Sequence, residues 1–176
     1  MKKFMIGAAA FCCMMISSVA LTACGSDDND DSGKTDPYAP KEIVMDVEFN
    51  EPQDILDVCD ATVTINGETE TITSANWSKT VKATALPAHF SINVKISKKA
   101  GKDWESGKKY EFAYPPVEYA IKMVRVNGET ARLAMSTASV HAGFPGGPEM
   151  DIAIKKIAEY SVEYTIDQSG KLTSNN

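Results

Sequence analysis

Two short stretches constrain the fold more than any others. Val63-Thr64-Ile65-Asn66-Gly67-Glu68-Thr69 and Val124-Arg125-Val126-Asn127-Gly128-Glu129-Thr130 each set Asn-Gly between segments of alternating polarity. A two-residue type I′ turn needs positive φ at both central positions, which Asn and Gly adopt most readily, so each pair predicts a tight antiparallel hairpin. The shared form Val-x-(Ile/Val)-Asn-Gly-Glu-Thr suits two hairpins converging on one turn chemistry, or two related half-domains. A solenoid would need more copies at a shorter period, which favours convergence.

The rest of the chain after residue 41 follows the same period of two. Alternation predicts strands over 43–49, 55–65, 68–73, 77–86, 90–96, 110–114, 117–126, 129–136 and 158–166. The pattern is sharpest where Phe90, Ile92, Val94 and Ile96 oppose Ser91, Asn93 and Lys95. It is equally clear where Tyr160, Val162, Tyr164 and Ile166 oppose Ser161, Glu163 and Thr165. One apolar and one wet face per strand is the signature of an antiparallel sheet packed on one side. Residues 50–54, 97–109 and 137–148 read as breaks or loops, and Ile152, Ile154 and Ile157 suit one short helix over 150–157. The expected fold is therefore all-β, an antiparallel β-sandwich that is Ig-like in the loose sense, with at most one short helix. A closed barrel is the alternative. Leu86-Pro87 just before Phe90 resembles the corner ahead of the sixth strand in fibronectin-type sandwiches, although Phe90 has no hydroxyl for the tyrosine hydrogen bond of that corner.

The first residues have another character. Lys2 and Lys3 precede an uncharged, apolar run to Ala20, and Leu21-Thr22-Ala23-Cys24 follows. A positive start, an apolar middle and a small-residue end make a secretory signal. Leu-Thr-Ala-Cys resembles the lipobox of bacterial lipoproteins. The resemblance implies cleavage between Ala23 and Cys24, a diacylglyceryl thioether on Cys24, and acylation of the new amine by a chain such as palmitate. The segment Gly25-Ser26-Asp27-Asp28-Asn29-Asp30-Asp31 resembles the acidic tether that follows the lipid cysteine in Bacteroidetes lipoproteins. That implies the outer membrane and display at the cell surface, with a periplasm-facing anchor as the other option. The expected layout is signal peptide 1–23, lipidated Cys24 with a flexible acidic tether 24–41, sandwich 42–170 and a frayed tail 171–176.

Composition narrows the function. Removal of the leader leaves roughly 150 residues, enough for one domain with a hydrophobic core. The formal charge is −6, and it becomes more negative once Lys2 and Lys3 are removed. An acidic chain without a basic stripe excludes nucleic acid as a partner and needs its lipid to stay on an anionic membrane. Cys12 and Cys13 leave with the leader, so Cys59 stands alone. A single thiol in an oxidising compartment fits a buried, small apolar role.

Candidate sites are few. His89 and His141 are the two histidines, and neither has a carboxylate or a second histidine at metal-ligand spacing, so no metal or cofactor is expected. No Gly-x-Ser-x-Gly or paired-carboxylate motif marks an enzyme, and a small hydrolase is the least favoured reading. Two loops are the candidate binding elements. One carries Trp104 among Lys95, Lys98, Lys99, Lys102, Lys108 and Lys109, a composition that suits an acidic glycan. The other, 137–148, carries Phe144 among glycines and prolines. The expected site residues are Trp104, Lys102, Lys108 and Phe144. The expected function is a non-catalytic, membrane-anchored module that binds a glycan or an envelope protein. The alternative is a structural or accessory subunit of an envelope or fimbrial assembly.

Overall fold

The computed structural model describes residues 35–138 and 140–175. The expected leader, the cleavage site at Ala23 and Cys24, and the acidic run lie outside the described residues.

The described chain is an antiparallel β-sandwich. One sheet has the order β4 (Ser78–Ala83), β1 (Pro40–Phe49), β7 (Val117–Arg125), β8 (Thr130–Ser136). The other runs β11 (Leu172–Ser174), β10 (Glu159–Ile166), β5 (Ala88–Lys98), β2 (Cys59–Ile65), β3 (Glu68–Ile72). A two-stranded ribbon of β6 (Lys109–Tyr114) and β9 (Val140–Pro145) lies apart from both sheets, and two helices, α1 (Gln53–Val58) and α2 (Pro148–Ile157), complete the fold. None of the described helices is long and apolar enough to cross a membrane.

The alternation in the sequence becomes the core. Ile43, Met45, Val47 and Phe49 of β1 are buried in one cluster with Ala61, Val63 and Ile65 of β2 and Phe90, Ile92, Val94 and Ile96 of β5. Their neighbours in sequence point to the outer faces, as strand geometry requires. Both Asn-Gly pairs form turns, but of different kinds. The first has positive φ at both Asn66 (50) and Gly67 (85), as a type I′ turn requires. In the second, Gly128 (87) has positive φ and Asn127 does not, so the expectation of a two-residue type I′ turn is corrected there to a longer connection between Arg125 and Thr130. Cys59 is buried, and desolvation pushes its thiol up to about 11, so it stays protonated.

Three further local expectations are corrected. The strand expected over 55–65 begins as α1. Ile55, Leu56 and Val58 are all buried, and a strand would turn Leu56 and Val58 away from Ile55 and Cys59. A turn and a half of helix instead gathers all three inward. The loop expected over 137–148 contains β9, which pairs only with β6 and so tolerates Gly143 and a terminal Pro145. The frayed tail expected over 171–176 contains β11, paired with β10 from Ile166↔Leu172 to Tyr164↔Ser174. The described residues thus hold two helices where at most one was expected.

The two ends of the sandwich differ. At one end lie Pro40, the turns at Asn66-Gly67 and Asn127-Gly128, the link 84–87 and the turn 167–170, all short. At the other lie α1, α2, the β6–β9 ribbon and the loop 99–108. The chain enters the fold at the short-turn end. Val126 N–H donates to Ala39 O (3.1 Å), Asn127 N–H donates to Pro37 O (2.9 Å), and the Arg125 guanidinium lies 5.8 Å from the Tyr38 ring. Residues 37–41, expected as tether, are therefore held against the β7–β8 hairpin. β1 then runs ten residues to the far end, roughly 30 Å at about 3.3 Å per residue.

Gly146 locks the far end. Its N–H donates to Lys108 O (2.8 Å), and a Cβ there would meet Glu105 O at 2.1 Å. That obstacle is backbone, which cannot swing aside. G146A is expected to lose about 1–3 kcal/mol of stability by overpacking, read as a lower urea midpoint at unchanged m-value.

Candidate functional site

The far end gathers the residues singled out in the sequence and changes their roles. Trp104 is buried at 6% exposure. Its Nε1–H donates to Asp151 Oδ1 of α2 (2.8 Å), and its ring meets Tyr110 edge-on at 4.9 Å. The Trp104 hydrogen bond, with the Lys98 ammonium second, holds the Asp151 carboxyl below its usual value. Trp104 thus pins the loop 99–108 to α2. Phe144 pairs across the ribbon with Tyr110 and stacks on Phe112 at 5.4 Å, half-buried on β9. Trp104 and Phe144 do meet one ribbon through Tyr110, yet neither stands out from the surface.

The lysines around them are mostly engaged. Lys95 pairs with Glu159, Lys98 with Asp103 and Asp151, Lys108 with Asp54, and Lys109 with Glu111. Lys99 Nζ donates to Leu56 O, and Lys108 also lies 4.8 Å from the Tyr110 ring centroid. Lys102 is exposed. A patch whose charges are met by carboxylates projects little net field at an acidic ligand.

Two of the better-formed recesses on the described surface bear on function. The first, about 270 Å³, lies on the outer face of the four-stranded sheet. Its polar groups satisfy one another: Lys122 Nζ donates to Asp46 Oδ2 (2.8 Å), Thr80 Oγ1 donates to Asp46 Oδ1 (2.7 Å), and Ala138 N–H donates to Glu118 Oε1 (3.0 Å). The Lys122 and Thr80 bonds lower the Asp46 pKa. This is a solvated sheet face with its hydrogen bonds made.

The second recess, also about 270 Å³, lies at the far end between β1, α1 and the β6–β9 ribbon. Asn50, Glu51, Pro52, Ala75, Glu111, Phe112, Ala113 and His141 line it. Its polar groups are not all satisfied. Glu51 is 1% exposed. Ala113 N–H donates to its Oε2 (3.2 Å), while its Oε1 has no partner, and neither has Asn50 Nδ2. Burial drives the Glu51 pKa from 4.5 up to about 8, partly offset by the Ala113 bond. Among the described residues no cation is placed to hold the charged form, so the folded state favours the neutral carboxyl at pH 7.

Backbone geometry places this pair. Phe49 N–H donates to Trp77 O and Asn50 N–H donates to Pro116 O, both at 3.0 Å, which carries the β1 pairing one residue past its end. Pro52 then caps α1 with extended backbone at φ −65 and ψ 158, and Glu51 is left in the corner against β6. Sequence reading passed over Glu51 because Asn50-Glu51-Pro52-Gln53-Asp54 has the composition of a solvated turn. The one available signal was a carboxylate wedged between Phe49 and a helix start. His141, set aside as a loop histidine, lines the same recess, whereas His89 is exposed on β5 near the short-turn end.

Among the described residues no three His, Cys, Asp or Glu side chains gather as a metal site. A scan against protein-family models finds no match for the chain, and searches of curated proteins and of solved structures find none.

Proposed function

We propose that this is a lipid-anchored, non-catalytic binding module of the outer membrane, displayed at the cell surface, that engages a glycan or envelope protein through the end of its sandwich remote from the anchor. The observation that carries the reading is the separation of two features. The chain enters the fold at the short-turn end, held by Pro37 and Ala39, while the recess with unpartnered Glu51 and Asn50 lies at the other. A flexible tether from Cys24 that joins the sandwich at the first end leaves the second end unencumbered by the anchor. A buried, unsatisfied polar pair in a concave site is a feature that ordinary packing avoids and ligand sites use.

The anchor and the orientation are tested separately. C24S is expected to move the protein from the membrane to the soluble fraction, and protease added to intact cells should remove the wild-type chain. A photo-crosslinker at Glu111 should yield adducts to envelope material in living cells, while one at Glu129, on the short-turn end, should yield none. Equal adducts from both positions would overturn the orientation.

The accessory-subunit reading has one observation in its favour. β8 is an edge strand whose only charged residue is Arg132, and Met135 on it is 52% exposed. The edges β3 and β4 instead carry Glu68, Glu70, Lys79 and Lys82, a pattern that discourages strand addition.

A further inference from the structure

We infer that the recess beside Glu51 takes a small, uncharged, hydroxyl-bearing ligand, a single sugar ring or comparable polyol, with Asn50 and Glu51 hydrogen-bonding to its oxygens. The inference rests on the proposed far-end binding surface and names what that surface recognises. Three observations lead to it.

The first is the unmet hydrogen-bonding capacity. Glu51 Oε2 is committed to Ala113 N–H, leaving Oε1 and Asn50 Nδ2 without partners. The neutral carboxyl offers an O–H at Oε1, and Asn50 offers an N–H. A hydroxyl oxygen accepts from either group and still has a hydrogen to donate onward, so a polyol suits both.

The second is charge. No lysine or arginine lines the recess, and Glu111 brings a carboxylate that pairs with Lys109. A carboxylate or phosphate would meet the Glu111 carboxylate, and the ammonium beside it, Lys109, is already paired with Glu111. An ammonium would have to displace Lys109 from Glu111.

The third is size and lining. About 270 Å³ falls just below the roughly 300 Å³ at which pockets begin to hold drug-sized molecules, which limits the occupant to one small unit. Phe112, Pro52 and Ala75 give the recess an apolar side for the C–H face of a ring.

The titratable and charged groups nearby are Glu111 and its partner Lys109 on β6, His141 on β9, Asp54 on α1 with its partner Lys108, and Cys59 at the start of β2. Glu51→Gln isolates Glu51 from them. Its amide oxygen can accept from Ala113 N–H, and its NH₂ replaces the Oε1 proton without ionising.

The test follows the Ala113 amide by NMR in the ¹⁵N-labelled full chain in detergent micelles, titrated with four ligands that share a ring: glucose, N-acetylglucosamine, glucuronate and glucosamine. The neutral sugars are expected to give saturable shifts, with glucuronate at least tenfold weaker. N50A should weaken the neutral sugars tenfold or more. Wild-type affinity should fall at least threefold from pH 6 to pH 9, whereas the affinity of E51Q, whatever its value at pH 6, should not change over that range. Tighter binding of glucuronate or glucosamine would overturn the ligand class and leave the far-end surface standing. Neutral-sugar affinity unchanged in N50A, or no saturable shift with any of the four, would overturn the recess as the site. The crosslinking result at Glu111 separately decides the surface.

Discussion

E51Q will be more stable than the wild-type protein at pH 8 by about 3–5 kcal/mol and equal to it near pH 4.5. The reason lies in where Glu51 sits. In the unfolded chain its carboxyl titrates near the ordinary value of 4.5; in the fold, burial raises it to about 8. Below 4.5 both states hold the proton and the group contributes no pH dependence. Between 4.5 and 8 the folded state binds more protons than the unfolded one, so stability falls as pH rises. Above 8 both states are ionised and the loss is complete. Gln has the shape of the neutral acid, keeps an acceptor for Ala113 N–H and does not titrate. Urea unfolding of both proteins at pH 4.5, 6, 7 and 8 gives the two curves. Parallel curves would mean that Glu51 titrates as an exposed carboxyl and is not held neutral. The sign is opposite for Asp46 and Asp151, whose pKa values are lowered by hydrogen bonds from Lys122 and Trp104. Their contributions are present above the ordinary carboxylate value and are lost as pH falls, so the Glu51 difference is read between pH 4.5 and 8, above that range.

The second large effect is at Trp104. W104A is expected to destabilise the protein by about 3–5 kcal/mol, the usual range for removing a buried tryptophan. The substitution deletes a side chain that is 6% exposed, the Nε1–H bond to Asp151 and the edge contact with Tyr110. W104F keeps an aromatic ring, and Asp151 retains Lys98 at 3.2 Å. Its loss is about 1 kcal/mol for the hydrogen bond plus a smaller one for the lost ring volume. Urea midpoints at constant m-value measure both. Hydrogen exchange should show faster opening of the loop 99–108 and α2 in W104A before the β1 and β5 amides respond. A solvent-exposed, ligand-stacking tryptophan would behave otherwise, with W104A within about half a kcal/mol of wild type.

These two residues show how far local reading reached. The strands around the core were legible because alternation depends only on neighbouring residues and on one face meeting a core. Phe90 to Ile96 and Tyr160 to Ile166 lie on strands in both readings. The corrected segments depend on distant partners. Residues 55–58 fold as helix because Ile55, Leu56 and Val58, which strand alternation would split between two faces, must all reach the core. Residues 140–145 form a strand because β6 supplies the other half of the ladder. Trp104 among lysines has the composition of a binding loop, and Asp151, 47 residues on, makes it a buried clasp.

The sequence by itself determined the antiparallel β architecture, the turn at Asn66-Gly67 and the small-residue motif ending at Cys24, since each rests on chemistry within a few bonds of chain. Tertiary structure alone decided which end of the sandwich collects the helices and the ribbon, and that the chain enters at the other. It also decided that Glu51, in a stretch composed like a solvated turn, lies buried against an amide 62 residues away. Burial of a polar group is set by what packs over it, and a local sequence pattern does not carry that information.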